Sequence, residues 1–304
     1  MLYEPIVQMT TYKKIASSLI CLTIYGSVYS QSEPISSPPT TKPLAPEGYT
    51  LVWHDEFENE GKPNSSNWSY EYGFVRNNES QWYQQDNAIV KDGLLVIEGR
   101  RETVKNSSYD ATSMDWRRNK EWAEYTSSSI HTRGKQAFQY GIFEIRAKID
   151  PSLGMWPAIW TLGVNRDWPA NGEIDIMEYY QVDGEATILA NAAWAHESLR
   201  AAWDEAKLPF STFLKKDPNW ADKFHIWKME WDEDFIKLYL DDELLNEVDL
   251  SHTLNPDGFN PFRQPHYILF NLAIGSNGGD PSTTSFPRTY EVDYVRVFQK
   301  KENN

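Results

Sequence analysis

From Tyr49 onward the chain alternates apolar and polar residues in short runs divided by turn residues, the period of strands rather than of helices. Between Tyr140 and Ile149, Phe143, Ile145, Ala147 and Ile149 alternate with Glu144, Arg146 and Lys148, so one face is core and the other is wet. Trp227, Met229 and Trp231 alternate in the same way with Ile226, Lys228 and Glu230, and Ile236, Leu238 and Leu240 run into an Asp241-Asp242 turn. Gly93 to Gly99 and Tyr290 to Phe298 supply further strands. Strands at this spacing, with no repeat and no second composition regime, predict one all-β domain over residues 48–304, an antiparallel β-sandwich jelly roll. One short helix is expected near His196 to Ala206.

One stretch breaks the rule. Asn171-Gly-Glu-Ile-Asp-Ile-Met-Glu-Tyr-Tyr180 places acids where a half-buried strand should place apolar side chains. Glu173 and Asp175 share one face and Ile174 and Ile176 the other, so strict alternation would bury Glu178 unpaired in the core. A β-bulge at Ile176-Met177 returns Glu178 to the face of the other two acids at lower cost. Four pleat steps then separate the α-carbons of Glu173 and Glu178 by about 13 Å, and two side chains leaning toward each other leave about 6 Å between carboxyls. Retaining glycosidases need roughly 5–5.5 Å and inverting ones roughly 6.5–9.5 Å, so the spacing falls nearer the retaining value. Asp175 fits between them, where a shared charge or proton helps keep their pKa values apart. An acidic solvent-facing strand, or a calcium site, would satisfy the same letters.

Composition narrows the partners. Aromatic residues make up 14% of the chain, with 13 Trp and 17 Tyr, enough to furnish both a core and flat faces for sugar rings. A net charge of −15 argues against nucleic acid and anionic membranes, and disfavours a strongly sulfated substrate. Lys13 and Lys14 precede an apolar run from Ile15 to about Tyr25, followed by Val28-Tyr-Ser30, the shape of a secretory signal peptide over residues 1–30. The run is too short to span a bilayer. The single cysteine, Cys21, lies inside it and follows Ile20 rather than a small residue, which disfavours lipidation; the domain has no disulfide to lean on. Residues 31–47, rich in Pro, Ser and Thr, predict an extended linker. Secretion or a periplasmic or cell-surface location is expected, as a monomer with a polysaccharide or glycan as partner. The six histidines show no metal or triad spacing, and no Gly-x-Ser-x-Gly elbow or phosphate-cradling loop is found.

The run Glu-Ile-Asp-Ile-Met-Glu resembles the bulged signature of glycoside hydrolase family 16. The likeness extends through Leu51-Val-Trp-His-Asp-Glu-Phe57, Thr132-Arg-Gly-Lys135, Tyr140-Gly-Ile-Phe-Glu-Ile-Arg-Ala147, Trp156-Pro-Ala-Ile-Trp160 and Val292-Asp-Tyr-Val-Arg-Val297, covering nearly all of residues 49–299. The resemblance implies a curved concave sheet forming an open cleft, Glu173 as nucleophile, Asp175 as its assistant and Glu178 as acid/base, with no cofactor for catalysis. It places a sugar-stacking ring at Trp156, with Trp160 and Trp168 nearby. It also gives the Asn77-Asn-Glu-Ser-Gln-Trp-Tyr83 loop contacts to sugars on the nonreducing side, joined by the Arg76 donor fork, and Asn271 could face the cleft. Glu56 and Asp293 match positions associated in the family with a structural Ca2+ remote from the cleft. Two features depart from the glucan-cleaving pattern: Ile188-Leu-Ala-Asn-Ala-Ala-Trp194 lacks the usual histidine pair, and Gly275-Ser-Asn-Gly-Gly279 lacks the usual Trp loop. Trp194 is expected as a stacking face on the leaving-group side instead, and the segments 106–121 and 196–220 as cleft walls. The expected activity is endo-acting and retaining on a β-1,3 or β-1,3/1,4 glucan, with an endo-β-galactosidase nearly level, a transglycosylase balance open and a non-catalytic lectin-like module as the rival.

Overall fold

A computed structural model describes residues 44–301 apart from 198 and 199. The expected signal peptide, Cys21 within it, and residues 31–43 of the linker lie outside the described residues. The first third of the domain forms β1 (Tyr49–Asp55), β2 (Ser69–Tyr70), β3 (Gln81–Tyr83), β4 (Ala88–Lys91), β5 (Leu94–Gly99), β6 (Val104–Lys105), β7 (Trp122–Ala123), β8 (Tyr125–Ser127) and β9 (Ser129–His131). The middle gives β10 (Gly141–Lys148), β11 (Met155–Gly163), β12 (Glu173–Val182), β13 (Glu185–Ala195) and β14 (Ala201–Pro209). The last third adds β15 (His225–Trp231), β16 (Phe235–Leu240), β17 (Glu243–Asp249), β18 (His266–Ile274) and β19 (Arg288–Lys300).

Two large antiparallel sheets face each other. One runs β17-β16-β15-β10-β19-β5-β4 with β1 also on β19; the other runs β14-β13-β12-β11-β18-β9-β2. Alternation explains the first: in β10, Phe143, Ile145 and Ala147 are fully buried while Glu144, Arg146 and Lys148 stay partly open. In the second sheet, β18 is buried at every position, because its inner face packs on the core and its outer face is a cleft floor. Phe143, Trp227, Met229, Val295 and Val297 of the first sheet join Ile159, Ile174, Ile176, Met177 and Phe270 of the second in one core. Each such side chain contributes about 1.5–3 kcal/mol by leaving water. A smaller apolar group on the second sheet, Ala158, Trp160, Tyr267 and Leu269, lines the cleft side. The jelly-roll sandwich expected from strand spacing is the fold observed.

The helix expected near His196 to Ala206 gives way to a strand from Ala201 onward. Ala201–Pro209 is β14, paired along its length with β13 from Ala195↔Ala201 to Thr187↔Pro209. The alanines, Glu and Lys of this segment favour a helix, but the open edge of β13 offers a full ladder of hydrogen bonds, and tertiary pairing overrides the weak local preference. A helix follows one step later, α1 (Phe210–Lys216), which seats Phe210 and Phe213 on the core beside Trp220. The 106–121 segment packs Trp116 against Phe74, ring centroids 5.7 Å apart, and so contacts the loop that leads to Arg76.

Candidate active site

The ladder of β12 slips by one residue, as the acid spacing requires. Glu173 and Asp175 pair with Ala193 and Asn191 of β13, whereas Glu178 pairs with Leu189, and the irregularity falls between Asp175 and Glu178. Ile176 and Met177 are both fully buried in the core, two successive side chains on one face, which is the signature of a bulge. Glu173, Asp175 and Glu178 consequently share the outer face with their β11 partners Leu162, Trp160 and Ala158. The turn feeding this strand is held just as closely. Gly163, at the end of β11, donates its N–H to the Gly172 carbonyl (3.2 Å), and a β-carbon there would stand 2.1 Å from the Asn171 carbonyl oxygen. Gln264 Nε2 donates to that same carbonyl at 2.8 Å.

The three carboxyls do not share one environment. Burial raises the Asp175 pKa well above its ordinary value, and the charges of Glu178 and Glu173 push it the same way; the group is 1% exposed. Glu173 is also raised by burial but opposed by hydrogen bonds from Asp175 and from Trp168, whose Nε1–H donates to Oε2 at 2.6 Å. The Asp175–Glu173 bond acts in opposite directions on its two ends, favouring a protonated Asp175 as donor and an ionised Glu173 as acceptor. Burial and then the Glu173 charge push Glu178 up to about 8, against a hydrogen bond from Trp156 Nε1 (2.8 Å) to its Oε1. Glu173 and Glu178 keep part of their surface open to the cleft, so water screens them more than Asp175. The hydrogen bonds favour the ionised form of Glu173, while burial and the Glu173 charge favour the protonated form of Glu178, with Asp175 between them.

Of the aromatic residues expected to hold sugar, Trp156 and Trp168 do their first work on the acids. Trp156 packs edge-on against Tyr180 with centroids 5.1 Å apart, and Trp168 keeps 53% of its surface exposed. Trp160 is 7% exposed, donating its Nε1–H to Asn271 Oδ1 at 2.7 Å. Asn271 spends its amide on Tyr83 (3.2 Å), so it orients Trp160 rather than offering free groups to a ligand. Arg76 lies over Trp160, 4.9 Å from the ring centroid, in a close ion pair through its Nη2 with Glu71, while its Nη1 is buried without a protein partner. That orphan donor suits a sugar hydroxyl. The Asn77 amide (3.3 Å) and Gln81 (2.6 Å) both donate to Glu79 and fix its carboxyl, leaving Arg76 Nη1 as the buried donor of this segment that lacks a partner. Glu71 and Glu79 were not singled out from the sequence; Glu71 also accepts from Ser129 Oγ of β9 at 2.6 Å, a partner that only the fold supplies.

Trp194 does not face the cleft. The same bulge that turns Glu178 outward shifts the β12–β13 register by one, so Ala193 stands opposite Glu173 and Trp194 lies on the other face, against Phe262 with centroids 6.4 Å apart. Without the extra residue the Asp183-Gly184 hairpin would have put Trp194 across from Glu173. The residues in the cleft rows beyond the acids are instead Asn191 on β13 and Trp203, Glu205 and Lys207 on β14. Asn191 was legible in principle, by carrying the bulge through the hairpin.

Glu56 and Asp293 do not converge on a common point. Arg296 grips both oxygens of Glu56 at 2.9 and 2.8 Å, with His54 at 3.2 Å, and Asp293 pairs with Arg146. Among the described residues no group of three or more His, Cys, Asp or Glu side chains gathers in a metal-holding arrangement.

Comparison with known proteins agrees with this geometry. Residues 76–296 match the model of the glycosyl hydrolases family 16. The chain is 32% identical to a beta-glucanase of Rhodothermus marinus over 83% of this chain and 85% of that one, and 32% identical to glucan endo-1,3-beta-glucosidase A1 of Niallia circulans over 90% of this chain but 41% of that protein. It superimposes with a TM-score of 0.77 and 35% identity, over 86% of this chain and 95% of the other, on a structure reported with the endo-acting O-glycanases by which human gut bacteria initiate mucin breakdown. The laminarinase catalytic domain of Thermotoga maritima gives 0.68 and 32%, over 84% of this chain and 100% of that one. A bulged strand presenting three acids to an open face, inside this match, identifies the chain as a glycoside hydrolase belonging to glycosyl hydrolases family 16.

Proposed function

We propose that the protein is a secreted, endo-acting, retaining hydrolase that cuts internal bonds of a β-1,3 or β-1,3/1,4 glucan. The observation that carries the reaction type is the bulge at Ile176-Met177, which sets Glu173, Asp175 and Glu178 on one face with unequal proton affinities. Glu178, protonated below about pH 8, gives its proton to the leaving glycosidic oxygen while the Glu173 carboxylate attacks the anomeric carbon. The resulting glycosyl ester is then opened by water that surrenders its proton to the Glu178 carboxylate, which restores both groups. Asp175, donating to Glu173, spreads the nucleophile's charge in the ground state. Glucan as substrate is supported by the relatives from Rhodothermus marinus and Niallia circulans. A galactosyl substrate is the second reading, favoured by the higher TM-score with the O-glycanase structure and by a keratan-sulfate endo-1,4-beta-galactosidase of Sphingobacterium multivorum at 26% identity. Export is supported by Lys13-Lys14 ahead of the apolar run.

Incubation with laminarin, mixed-linkage glucan, agarose and poly-N-acetyllactosamine, with the products sized, separates the substrates, and proton NMR of fresh product gives the anomer. Oligosaccharides of β configuration are expected first. Monosaccharide as the sole early product, or an initial α anomer, would overturn the reading. Glu173→Ala should lower kcat by about 10^4-fold or more. A structural Ca2+ at Glu56 and Asp293 would require both carboxylates to release their arginines, so the melting temperature should not change on adding EDTA.

A further inference from the structure

Past the acids, the surface a glycan can touch changes strand. Ala193, Asn191 and Leu189 of β13, in register with Glu173, Asp175 and Glu178, are 0%, 1% and 0% exposed. Their β14 neighbours in the same rows, Trp203, Glu205 and Lys207, are all open, and Trp203 keeps 42% of its surface in solvent. β14 stands two strand spacings, about 10 Å, from β12, farther than one pyranose ring reaches and within the span of two. Trp194 is turned away. Beyond the first leaving sugar, a chain running across the sheet therefore meets β14 side chains and not those of β13.

We propose that β14 is a binding site for the second sugar on the leaving-group side, with Trp203 as its stacking face and Glu205 and Lys207 as its hydrogen-bonding pair. The proposal rests on the retaining endo-hydrolase reading. An exposed indole presents a flat apolar face to the C–H groups of a pyranose and keeps an N–H for a hydroxyl. Lys207 Nζ lies 2.9 Å from Glu205 Oε2, both side chains roughly half open, so the pair offers a donor and an acceptor side by side for neighbouring hydroxyls. The rows line up across the sheet: Trp203 continues the row of Glu173, Glu205 that of Asp175 and Lys207 that of Glu178. Glu205 so placed would repel a sulfate, which suits an uncharged ring. The site is continuous with the cleft, and its occupant is the substrate itself.

The test compares two substrates built on whichever glycan the wild-type full chain cleaves, laminari-oligosaccharides first. The hexasaccharide fills both sides of the cleft, whereas the 4-nitrophenyl disaccharide has no second leaving sugar. Trp203→Ala should lower kcat/KM on the hexasaccharide roughly tenfold, as loss of a well-placed aromatic contact does. Its cleavage points should move along the chain, and transfer onto added disaccharide acceptor should fall in proportion. Nitrophenol release and melting temperature should stay as in wild type, and Trp203→Phe should recover most of the loss. An equal fall on both substrates, no change on the hexasaccharide, or a solution dimer that comes apart in the variant would overturn the subsite in an active enzyme. A wild-type protein inert on every glycan would instead remove the hydrolase reading, and the subsite with it.

Discussion

Each catalytic carboxyl is tuned by one indole, and the two indoles should be separable by pH. Trp168 donates to Glu173 at 2.6 Å and Trp156 to Glu178 at 2.8 Å, and each bond favours the ionised form of its acid. Removing a donor to a carboxylate raises that acid's pKa. Trp168→Phe should move the acid limb of kcat/KM to higher pH by about 0.5–1 unit, leaving the alkaline limb alone. Trp156→Phe should move the alkaline limb upward instead; a titration in which both variants shift the same limb would contradict the roles given to the two acids. Asn191 belongs to this scale as well. It stands opposite Asp175 on β13, and its amide lowers the Asp175 pKa.

At the scale of the element, the bulge and the turn before it make the site. Met177 is fully buried in the core because the bulge gives it a second consecutive inward position, so Met177→Ala should cost about 2–5 kcal/mol, read as a lower midpoint in urea. Gly163 tests the turn. A β-carbon there would meet the Asn171 carbonyl at 2.1 Å and Gln264 Nε2 at 2.2 Å, so Gly163→Ala must displace the chain that enters Glu173. Both kcat and the melting temperature should fall, and full activity in a folded Gly163→Ala protein would show that the turn does not position the nucleophile.

For the whole molecule, the cleft is held at the expense of stability, and pH measures how much. Glu178 is raised in the fold from an ordinary 4.5 to about 8. Below the lower value both folded and unfolded chains carry the proton; between the two the unfolded chain ionises first, so stability declines as pH rises through that window and levels off above it. Glu178→Gln removes this loss. Its melting temperature should match wild type near pH 4 and exceed it by several degrees at pH 8, at roughly 2–4 °C for each kcal/mol. An offset that does not grow with pH would mean that Glu178 ionises freely in the fold. The described residues contain no cysteine, so a reductant should not change either melt.

The letters alone determined the strand count in outline, the sandwich, and the three acids, because alternation and the cost of burying a lone Glu are local facts that two or three neighbours settle. They also favoured the bulge, since it turns Glu173, Asp175 and Glu178 to one side at lower cost than burying Glu178. Which strand forms each cleft wall was decided only in three dimensions. A single-residue slip reverses the facing of everything that follows it across the hairpin, which sent Trp194 to the core and brought Asn191 to the acids. An available sheet edge, not the composition of residues 201–209, turned that segment into β14. Asn271 meets Trp160 and Tyr83, Arg76 lies over Trp160 and Glu71 accepts from Ser129, all contacts between distant parts of the chain, and with them comes the difference between a side chain that touches sugar and one that holds its neighbour in place.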